Sequence, residues 1–388
     1  MAYERDDWGC LSDTPLPREW FSVTERYAYF NHAAVGVLPL PSRQALKHFI
    51  DAHAEGGVMG VFGTELRMPH IRSKIGSFVG AAGEDIAILR NTGDGANAIA
   101  GGFPFRAGDE VLLPGNEFPA NALPWLALRE RGVNVRLLDA RERLTPERLR
   151  RETSARTRIV AVSWVSFLDG YRHDLAGLSD VAHACGASFV VDAAQGLGAF
   201  PLDVRALGID AVYCCGAKWM LALQGVSFLY VSSALRDHLK LAAPGWRSAE
   251  DMWDFLNYDQ PSAKEAAKYE GGTPNFIGAL SLEKAIDAFE SAGRKEIATH
   301  VLALTDRLSD GLASCGAQIL SARSDGSSSG IVTFAKPGSD SVALGKALQR
   351  EGFITTYRSS GIRVSPHGYN TLEEIDRFTE TLRGITVP

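Results

Sequence analysis

The sequence predicts an α/β fold in which a mostly parallel sheet is flanked by helices, followed by a smaller C-terminal α+β domain. Short apolar runs at residues 86–89, 159–164 and 189–191 are typical of buried strands. The stretches between them are long enough for crossover helices, which parallel strands require. Beyond residue 290 the pattern changes to strand, helix, two strands and helix, which predicts a separate small unit.

Composition and charge exclude several classes of protein. The 388 residues are 45% hydrophobic and 22% charged, as in ordinary globular proteins. The formal net charge of −6 argues against a nucleic-acid partner, and no apolar run is long enough to span a membrane. The five cysteines form neither a disulfide framework nor a zinc pattern, and residues 1–7 have no apolar signal core. We therefore expect a cytoplasmic protein without a metal site.

The N-terminal part begins with a predicted strand at residues 27–30 and a turn at 31–36, with a helix from about Ser42. His32 in this turn is a candidate substrate contact, with a purely structural role as the alternative. Residues 58–63 are rich in glycine and carry no charge, which predicts a loop. Such a loop could flank a site or a subunit interface, and the sequence does not distinguish these alternatives.

A phosphate site is predicted after the strand at residues 86–89. The glycine-rich segment 91–95 precedes a helix of small residues at 96–100, and a helix N-terminus after such a turn binds anions. Gly93, Gly95 and Ala98 also fit a dinucleotide pattern. However, Asp109 precedes the next strand instead of ending it, so a single phosphate is favoured. A plain turn without a ligand is the alternative.

Three side chains follow predicted strands and should meet at one edge of the sheet, where open α/β folds bind ligands. They are Phe118, Asp192 and Lys218. Taken singly, each has an ordinary explanation as core, helix cap or surface charge. Together they predict a site. A lysine in an apolar setting forms Schiff bases with aldehydes, and a carboxylate facing a pyridine nitrogen keeps it protonated.

The rest of the chain supplies an antiparallel strand at residues 225–231, a region rich in aromatics at 246–269, and a polar glycine turn at 271–275. An amphipathic helix is predicted from the spacing of Ile297 to Leu312. We divide the chain into an N-terminal segment (1–26), a large domain (27–290) and a small α+β domain (291–388).

These motifs resemble those of the class V aminotransferase family of fold-type I pyridoxal phosphate enzymes. The family includes cysteine desulfurase-like, kynureninase-like and isopenicillin N epimerase-like proteins. The resemblance is carried by the segments V-D-A-A-Q-G at 191–196, G-A-K-W at 216–219, G-G-T-P-N at 271–275 and I-R-V-S-P-H-G-Y-N-T at 362–371. It implies a seven-stranded type of sheet, pyridoxal 5′-phosphate as cofactor, and an amino acid or amino-acid derivative as substrate.

The resemblance also implies roles for individual residues. Lys218 matches the Schiff-base lysine and Asp192 the partner of the pyridinium nitrogen. Arg363 matches the arginine that binds the substrate carboxylate, and Thr273 a residue that reaches the phosphate of the other subunit, which implies a homodimer. The remaining cofactor contacts that it implies are Thr92, Gly93, Phe118, Phe167, Gln195 and Cys215.

Departures from the family pattern bear on the reaction. The loop at residues 357–361 has no cysteine where desulfurases carry their nucleophile. We therefore expect an enzyme that is not a persulfide-forming cysteine desulfurase. Aminotransferase-type chemistry is the first choice, with a β-eliminating or C–S lyase, a decarboxylase or an epimerase as alternatives. A nicotinamide-dependent oxidoreductase and a pyridoxal-phosphate-binding protein without turnover are the competing classes.

Overall fold

The computed structural model describes residues 14–324 and 326–385, so half of the predicted N-terminal segment, residues 1–13, lies outside the described residues. The strands are β1 (Ala28–Tyr29), β2 (Ile86–Leu89), β3 (Glu110–Pro114), β4 (Asn134–Leu138), β5 (Thr157–Ser163), β6 (Ser188–Asp192), β7 (Ala211–Cys215), β8 (Ser227–Val231), β9 (Gln318–Ile319), β10 (Val332–Ala335), β11 (Phe353–Ile354), β12 (Thr356–Arg358) and β13 (Gly361–Val364). The α-helices are α1 (Leu40–Gly56), α2 (Val58–Val79), α3 (Thr92–Gly102), α4 (Pro119–Leu126), α5 (Pro146–Glu152), α6 (Leu175–Ala184), α7 (Ser233–His238), α8 (Phe276–Ala292), α9 (Arg294–Ser314), α10 (Ser341–Arg350) and α11 (Leu372–Gly384).

The central sheet has seven strands in the order β2-β8-β7-β6-β5-β3-β4. Strands β3 to β7 pair in parallel, whereas β8 runs antiparallel to both β7 and β2. The predicted mostly parallel sheet and its one antiparallel strand are therefore confirmed. The segment between β7 and β8 is too short for a crossover helix, so the chain reverses.

Both faces of this sheet are buried, which is why its strands read as continuous apolar runs. Neighbouring residues of β6 show the arrangement: Val190 belongs to the core on one face and Val191 to the core on the other. The helices α1, α2, α6 and α8 cover the face that includes Val191. Polar side chains are thereby confined to the strand ends, where a site can form.

The predicted loop at residues 58–63 is wrong, because these residues form the first turns of α2. Gly60 lies where α2 follows α1 through the single residue Gly57. A Cβ atom at Gly60 would meet the backbone oxygen of Ala52 at 1.9 Å. The glycine is needed for this close approach of two helices, and its low helix propensity led to the prediction of a loop.

The C-terminal part contains a four-stranded antiparallel sheet in the order β12-β13-β10-β9, packed with α9, α10 and α11. A capping box formed by Thr371 and Glu374 begins α11. β1 pairs in parallel with β11, and Ala28 and Phe30 lie in the C-terminal core. The division into domains at residues 26 and 290 stays a prediction.

None of the helices in the described part of the chain combines the length and the apolar character that a membrane crossing requires.

Candidate active site

One pocket lies at the carboxyl ends of the central strands and collects most of the predicted site residues. Each of its walls comes from a different strand end or helix start, as expected at the ligand-binding edge of an open α/β sheet. Its lining consists of Thr92, Phe118, Ser163, Val165, Phe167, Asp192, Ala194, Gln195 and Lys218.

Lys218 follows β7 in a tight turn. The amide of Leu221 donates a hydrogen bond of 3.0 Å to the Lys218 carbonyl, and Leu221 has a left-handed φ of 50°. Gly36 packs against the other side, since a Cβ there would lie 2.1 Å from the Lys218 carbonyl oxygen. The backbone of Lys218 is therefore fixed from two sides. Its amine lies 5.2 Å from the centre of the Phe118 ring, within the range of a cation–π interaction.

Asp192 is the last residue of β6 and is 5% exposed. Its Oδ1 accepts a hydrogen bond of 2.8 Å from the amide of Ala194, and the structure shows no partner for Oδ2 among the described residues. Burial raises the pKa of this carboxyl, while the Ala194 amide and the charge of Lys218 lower it. An oxygen is thus left to face a ligand in the pocket.

The side-chain amide of Gln195 is held in one orientation. Its Oε1 accepts a hydrogen bond of 2.9 Å from the indole of Trp219, and its Nε2 donates one of 2.9 Å to the carbonyl of Ala33. An amide nitrogen has two hydrogens, so a second one remains for an acceptor in the pocket.

The predicted turn at residues 91–95 is instead the start of α3, which begins at Thr92. The side chain of Asn91 caps the helix by accepting a hydrogen bond of 3.0 Å from the amide of Asp94. Gly95 is required by packing, because a Cβ would lie 2.7 Å from that of Tyr213. Thr92 lines the pocket, and Gly93 follows it in the same first turn. The helix N-terminus therefore faces the pocket, as an anion site requires.

Arg363 lies on β13 and is 8% exposed. Its Nη1 donates a hydrogen bond of 2.7 Å to the carbonyl of Phe167, a pocket residue, and its Nη2 lies 3.5 Å from the hydroxyl of Thr356. Its Nε has no partner among the described residues, and no described carboxylate pairs with it. Burial, and then the charge of Arg358, lowers its pKa to about 10. Burial of a guanidinium without a paired anion costs free energy, and a ligand with an anionic group would remove this cost.

Besides Gly93 and Arg363, three predicted residues lie outside the pocket lining. His32 is fully buried and uses both ring nitrogens, one with the carbonyl of Ser365 at 2.8 Å and one with the hydroxyl of Tyr369 at 2.9 Å. Burial and the nearby His367 lower its pKa well below the usual value, so it stays neutral. The structure gives both ring nitrogens of His32 partners within the protein, and a contact of His32 with the substrate stays a prediction.

Cys215 and Thr273 are the other two. Cys215 ends β7, and burial raises the pKa of its thiol more than the charge of Lys218 lowers it. Thr273 is exposed and lines a separate cleft of about 790 Å³ on the outer side of α3, beside Arg90 and Trp246. Cofactor contacts by these residues stay predictions.

The prediction from sequence missed a polar cluster directly behind the pocket. It joins Glu117, Ser163, Asn121 and Tyr213 through side-chain hydrogen bonds. The signal was present, since Glu117 precedes Phe118 and Ser163 ends a strand at the same edge of the sheet. No role at the site was predicted for these polar residues from the sequence.

The chain is similar to known proteins over nearly its whole length. The family model described as "Aminotransferase class-V" matches residues 29–378. A probable cysteine desulfurase of Methanothermobacter thermautotrophicus is 31% identical over 399 aligned residues, which cover 96% of each chain. The apo structure of a cysteine desulfurase from Thermococcus onnurineus superimposes with a TM-score of 0.86, at 24% identity and 99% coverage of both chains.

A further solved structure resembles this fold. The cystine C–S lyase C-DES, in complex with its product cysteine persulfide, has a TM-score of 0.86 at 21% identity, covering 93% of this chain and 98% of its own. A mutant of the same protein has glycine covalently linked to its PLP cofactor. At these identities the solved structures establish the shared fold.

These comparisons overturn one prediction. The absence of cysteine from residues 357–361 predicted an enzyme that is not a persulfide-forming cysteine desulfurase. That prediction is wrong, because a relative that matches almost the whole chain is named a probable cysteine desulfurase, and two of the similar solved structures are cysteine desulfurases. It rested on a few positions in an exposed hairpin, and such loops vary more than the strands that build a site.

Proposed function

The chain belongs to the class V aminotransferase family, and from that premise we propose that it is a pyridoxal-phosphate-dependent enzyme acting at the α-carbon of an amino acid. Members of this family carry pyridoxal phosphate, so the cofactor predicted from the sequence is confirmed at the level of the family. The bond that is broken, the substrate and the role of each residue belong to the proposal.

The observation that carries the proposal is the placement of Lys218 and Asp192 in one pocket with Phe118. The lysine forms no ion pair with a carboxylate of the described residues, and one oxygen of the buried aspartate lacks a partner. A pyridine ring with an aldehyde on one side and a protonated nitrogen on the other would satisfy both groups. The residues present therefore fit this cofactor.

Each remaining wall of the pocket suits a different part of the cofactor. The start of α3 at Thr92 and Gly93 suits the phosphate, since free amides and the helix dipole favour an anion. The free amide hydrogen of Gln195 suits the phenolic oxygen, and the ring of Phe118 suits stacking. When bound, pyridoxal phosphate withdraws electrons and so stabilises negative charge at the substrate's α-carbon.

Lys218 is the residue that we assign to proton transfer. Among the titratable groups that line the pocket, Asp192 is committed to the pyridine nitrogen, and the aromatic walls carry no proton to give. The amine of Lys218 is held by its fixed backbone, and the Phe118 ring face lies beside it. It can therefore take a proton from one atom of the substrate and return it to a neighbouring one.

Arg363 is the residue that we assign to the substrate carboxylate. Its guanidinium is buried and has a free Nε, and it adjoins the pocket through the carbonyl of Phe167. A planar guanidinium binds a carboxylate through two parallel hydrogen bonds, which orients the α-carbon as well as attracting the charge.

For the reaction, we favour cleavage of the Cβ–S bond of a cysteine-type substrate. The support is the 31% identical desulfurase relative, together with the apolar wall that the rings of Phe118 and Phe167 form, 5.2 Å apart and edge to face. Such rings make favourable contacts with sulfur. Transamination is the second candidate, because it is the reaction after which the family is named.

Product analysis separates these candidates. The purified chain, loaded with pyridoxal phosphate, is given L-cysteine, L-cystine, or an apolar amino acid with a 2-oxo acid. Alanine formed together with sulfane sulfur from L-cysteine supports C–S cleavage, as does pyruvate and ammonia formed with sulfide from L-cysteine or with cysteine persulfide from L-cystine. Exchange of the amino group between the amino acid and the oxo acid, without sulfur release, supports transamination. Release of neither product from any of these substrates would argue for the cofactor-binding protein without turnover.

A homodimer is also part of the proposal. The α2 residues Val58, Met59, Phe62 and Leu66 and the region containing Trp253, Phe255, Leu256 and Tyr258 expose large apolar side chains. Phe62, Leu66 and Trp253 line one groove, which continues toward the cleft of Thr273 through Trp246. A contiguous apolar surface of this kind supports an interface here, and we propose that Thr273 beside it reaches the partner's phosphate.

The cofactor assignment is tested by absorbance. The wild-type chain incubated with pyridoxal phosphate should show a visible band that Lys218→Ala abolishes. Lys47→Ala is the matched control, because Lys47 is exposed on α1 and should leave the band unchanged. A band that survives Lys218→Ala would refute the role of this lysine.

A further inference from the structure

The polar cluster behind the pocket encloses the carboxyl group of Glu117. Its Oε1 accepts a hydrogen bond of 2.7 Å from the amide of Ser163, and its Oε2 contacts the Ser163 hydroxyl and accepts one of 2.9 Å from the amide of Asn121. No lysine or arginine of the described residues pairs with it. The residue as a whole is half-buried, but its two carboxylate oxygens are surrounded by these donors.

The cluster is tied to Asp192 through the sheet. In the pairing of β5 with β6, Ser163 lies opposite Asp192, and in the pairing of β6 with β7, Asp192 lies opposite Tyr213. The hydroxyl of Tyr213 contacts the amide oxygen of Asn121, which closes a ring back to Glu117. Two acids therefore share one small region, with Ser163 and Asn121 between them.

The ionisation of Glu117 depends on the titratable groups around it. Asp192 and the phenol of Tyr213 are the titratable groups that face Glu117 from β6 and β7, and Lys218 faces Asp192 from the far side. Burial, and to a smaller extent the charge of Asp192, raises the pKa of Glu117 to about 7, against the hydrogen bonds from Ser163 and Asn121. A negative charge on Asp192 therefore opposes ionisation of Glu117.

From this geometry we propose that Glu117 is a positioning residue that holds a proton against Ser163 and so controls the charge and the hydrogen-bond direction at the Asp192 end of the pocket. This inference rests on the proposed function, because the group facing Asp192 is taken to be the pyridine nitrogen. Protonated Glu117 leaves Asp192 as the charged acid of the pair. Ionised Glu117 adds a second negative charge nearby.

Ser163 transmits this change to the pocket. When Glu117 is ionised, the hydroxyl of Ser163 donates its hydrogen to the carboxylate and presents lone pairs to the pocket. When Glu117 is protonated, the carboxylic acid can donate to Ser163, whose own hydrogen is then free to point into the pocket that it lines. Protonation of Glu117 thus switches the Ser163 hydroxyl from a hydrogen-bond acceptor to a donor toward the ligand.

The first test uses the full-length chain without added cofactor, labelled with ¹³C-glutamate. Infrared difference spectra taken across pH should show a glutamic acid carbonyl signal that disappears with a midpoint near pH 7. Glu117→Gln should remove this signal, while Glu130→Gln, at an exposed position, should retain it. A wild-type spectrum in which every glutamate titrates in the ordinary range overturns the inference.

The second test uses the chain loaded with pyridoxal phosphate and follows the visible band across pH. A transition near pH 7 is expected in the wild type, and it should be lost or moved by about one pH unit or more in Glu117→Gln. Ser163→Ala keeps the acid and removes the hydroxyl, so the transition should persist at a shifted midpoint. A wild-type transition that is identical in Glu117→Gln refutes the coupling. Absence of any visible band in the wild type counts against the proposed function itself, and the infrared result then still decides whether Glu117 holds the proton.

Discussion

The guanidinium of Arg363 donates a hydrogen bond of 2.7 Å to the backbone carbonyl of Phe167, which links the small C-terminal sheet to the wall of the pocket. Arg363 comes from β13, and Phe167 follows β5 of the large sheet. The two residues are 196 positions apart in the chain. Together with the hydrogen bonds from Thr333 to the carbonyl of Leu168 and from Ser329 to that of Gly170, this hydrogen bond fixes where the proposed carboxylate site lies relative to the proposed cofactor site.

Replacement of Arg363 should weaken substrate binding more than it slows turnover. Arg363→Ala removes the proposed carboxylate contact, and hydrogen bonds to charged groups contribute roughly 1.5–3 kcal/mol, which corresponds to a rise in KM of roughly 10- to 100-fold. Arg363→Lys should recover part of this loss, since a point charge cannot reproduce two parallel hydrogen bonds. Steady-state kinetics on the substrate identified by product analysis measure KM and kcat.

Arg358→Ala, at an exposed site on the adjoining strand, is the control for Arg363→Ala. An equal effect of the two alanine variants would contradict the assignment.

Introduction of a charge on the apolar face of α2 should dissociate the proposed dimer. Leu66 is 68% exposed and lines the groove beside Trp253, so Leu66→Asp would place a carboxylate in the interface. Analytical ultracentrifugation should then show a shift from dimer to monomer, with weaker retention of pyridoxal phosphate if Thr273 serves the partner. Leu137→Asp, on the edge strand β4 at the other end of the sheet, should stay dimeric. A Leu66→Asp protein that remains dimeric and keeps its cofactor would place the interface elsewhere.

Stability should fall in mild acid, and His367 should account for part of the fall. Its Nε2 contacts the carbonyl of Trp219 at 3.0 Å, and its Nδ1 accepts from the amide of Gly368, so the folded protein holds it neutral. Burial lowers its pKa from 6.5 to about 4. Below pH 6.5 the unfolded chain therefore binds a proton at His367 that the folded chain does not bind. The contribution of neutral His367 to the free energy of unfolding is complete above pH 6.5. It is lost as the pH falls toward 4, by an amount on the order of 3 kcal/mol.

The measurement is urea unfolding of the wild type and His367→Gln at several values between pH 4 and 7.5. The variant should show a shallower loss of unfolding free energy on acidification. Glu117 acts in the opposite direction over part of this range, because its pKa is raised by burial, but it is present in both proteins and cancels in the difference. Parallel curves for the two proteins would show that His367 does not contribute.

Two glycines of α2 should respond in opposite directions to the same substitution. Gly60→Ala places a methyl group 1.9 Å from the carbonyl oxygen of Ala52 and should destabilise the protein by forcing α1 and α2 apart. At Gly63 no atom lies within 4 Å of the added carbon, so Gly63→Ala should stabilise by up to about 1 kcal/mol through helix propensity. Urea unfolding of both variants checks this. Similar effects at the two positions would show that the close approach at Gly60 does not limit stability.

The sequence by itself was sufficient for the architecture and for most of the pocket. Buried parallel strands must be apolar on both faces, so the strands containing Ile159 and Val190 were visible as runs, and polar residues could stand only at their ends. Because the carboxyl ends of parallel strands meet at one edge, Phe118, Asp192 and Lys218 could be expected in one place, and the resemblance to the family added Thr92, Phe167 and Gln195.

The tertiary structure decided what depends on contacts between distant parts of the chain. Residues 58–63 are helical because α2 packs against α1 and α8, and this packing outweighs the low helix propensity of two glycines. For His32 the sequence left a substrate contact and a structural role as alternatives, because a histidine in a turn shows no partners in sequence, and only the fold brings Ser365 and Tyr369 to its two nitrogens. Glu117 gained its raised pKa in the same way, from strands that enclose it and from an acid 75 positions away. Periodicity records which face of an element is buried, but only the folded chain determines which groups share that interior.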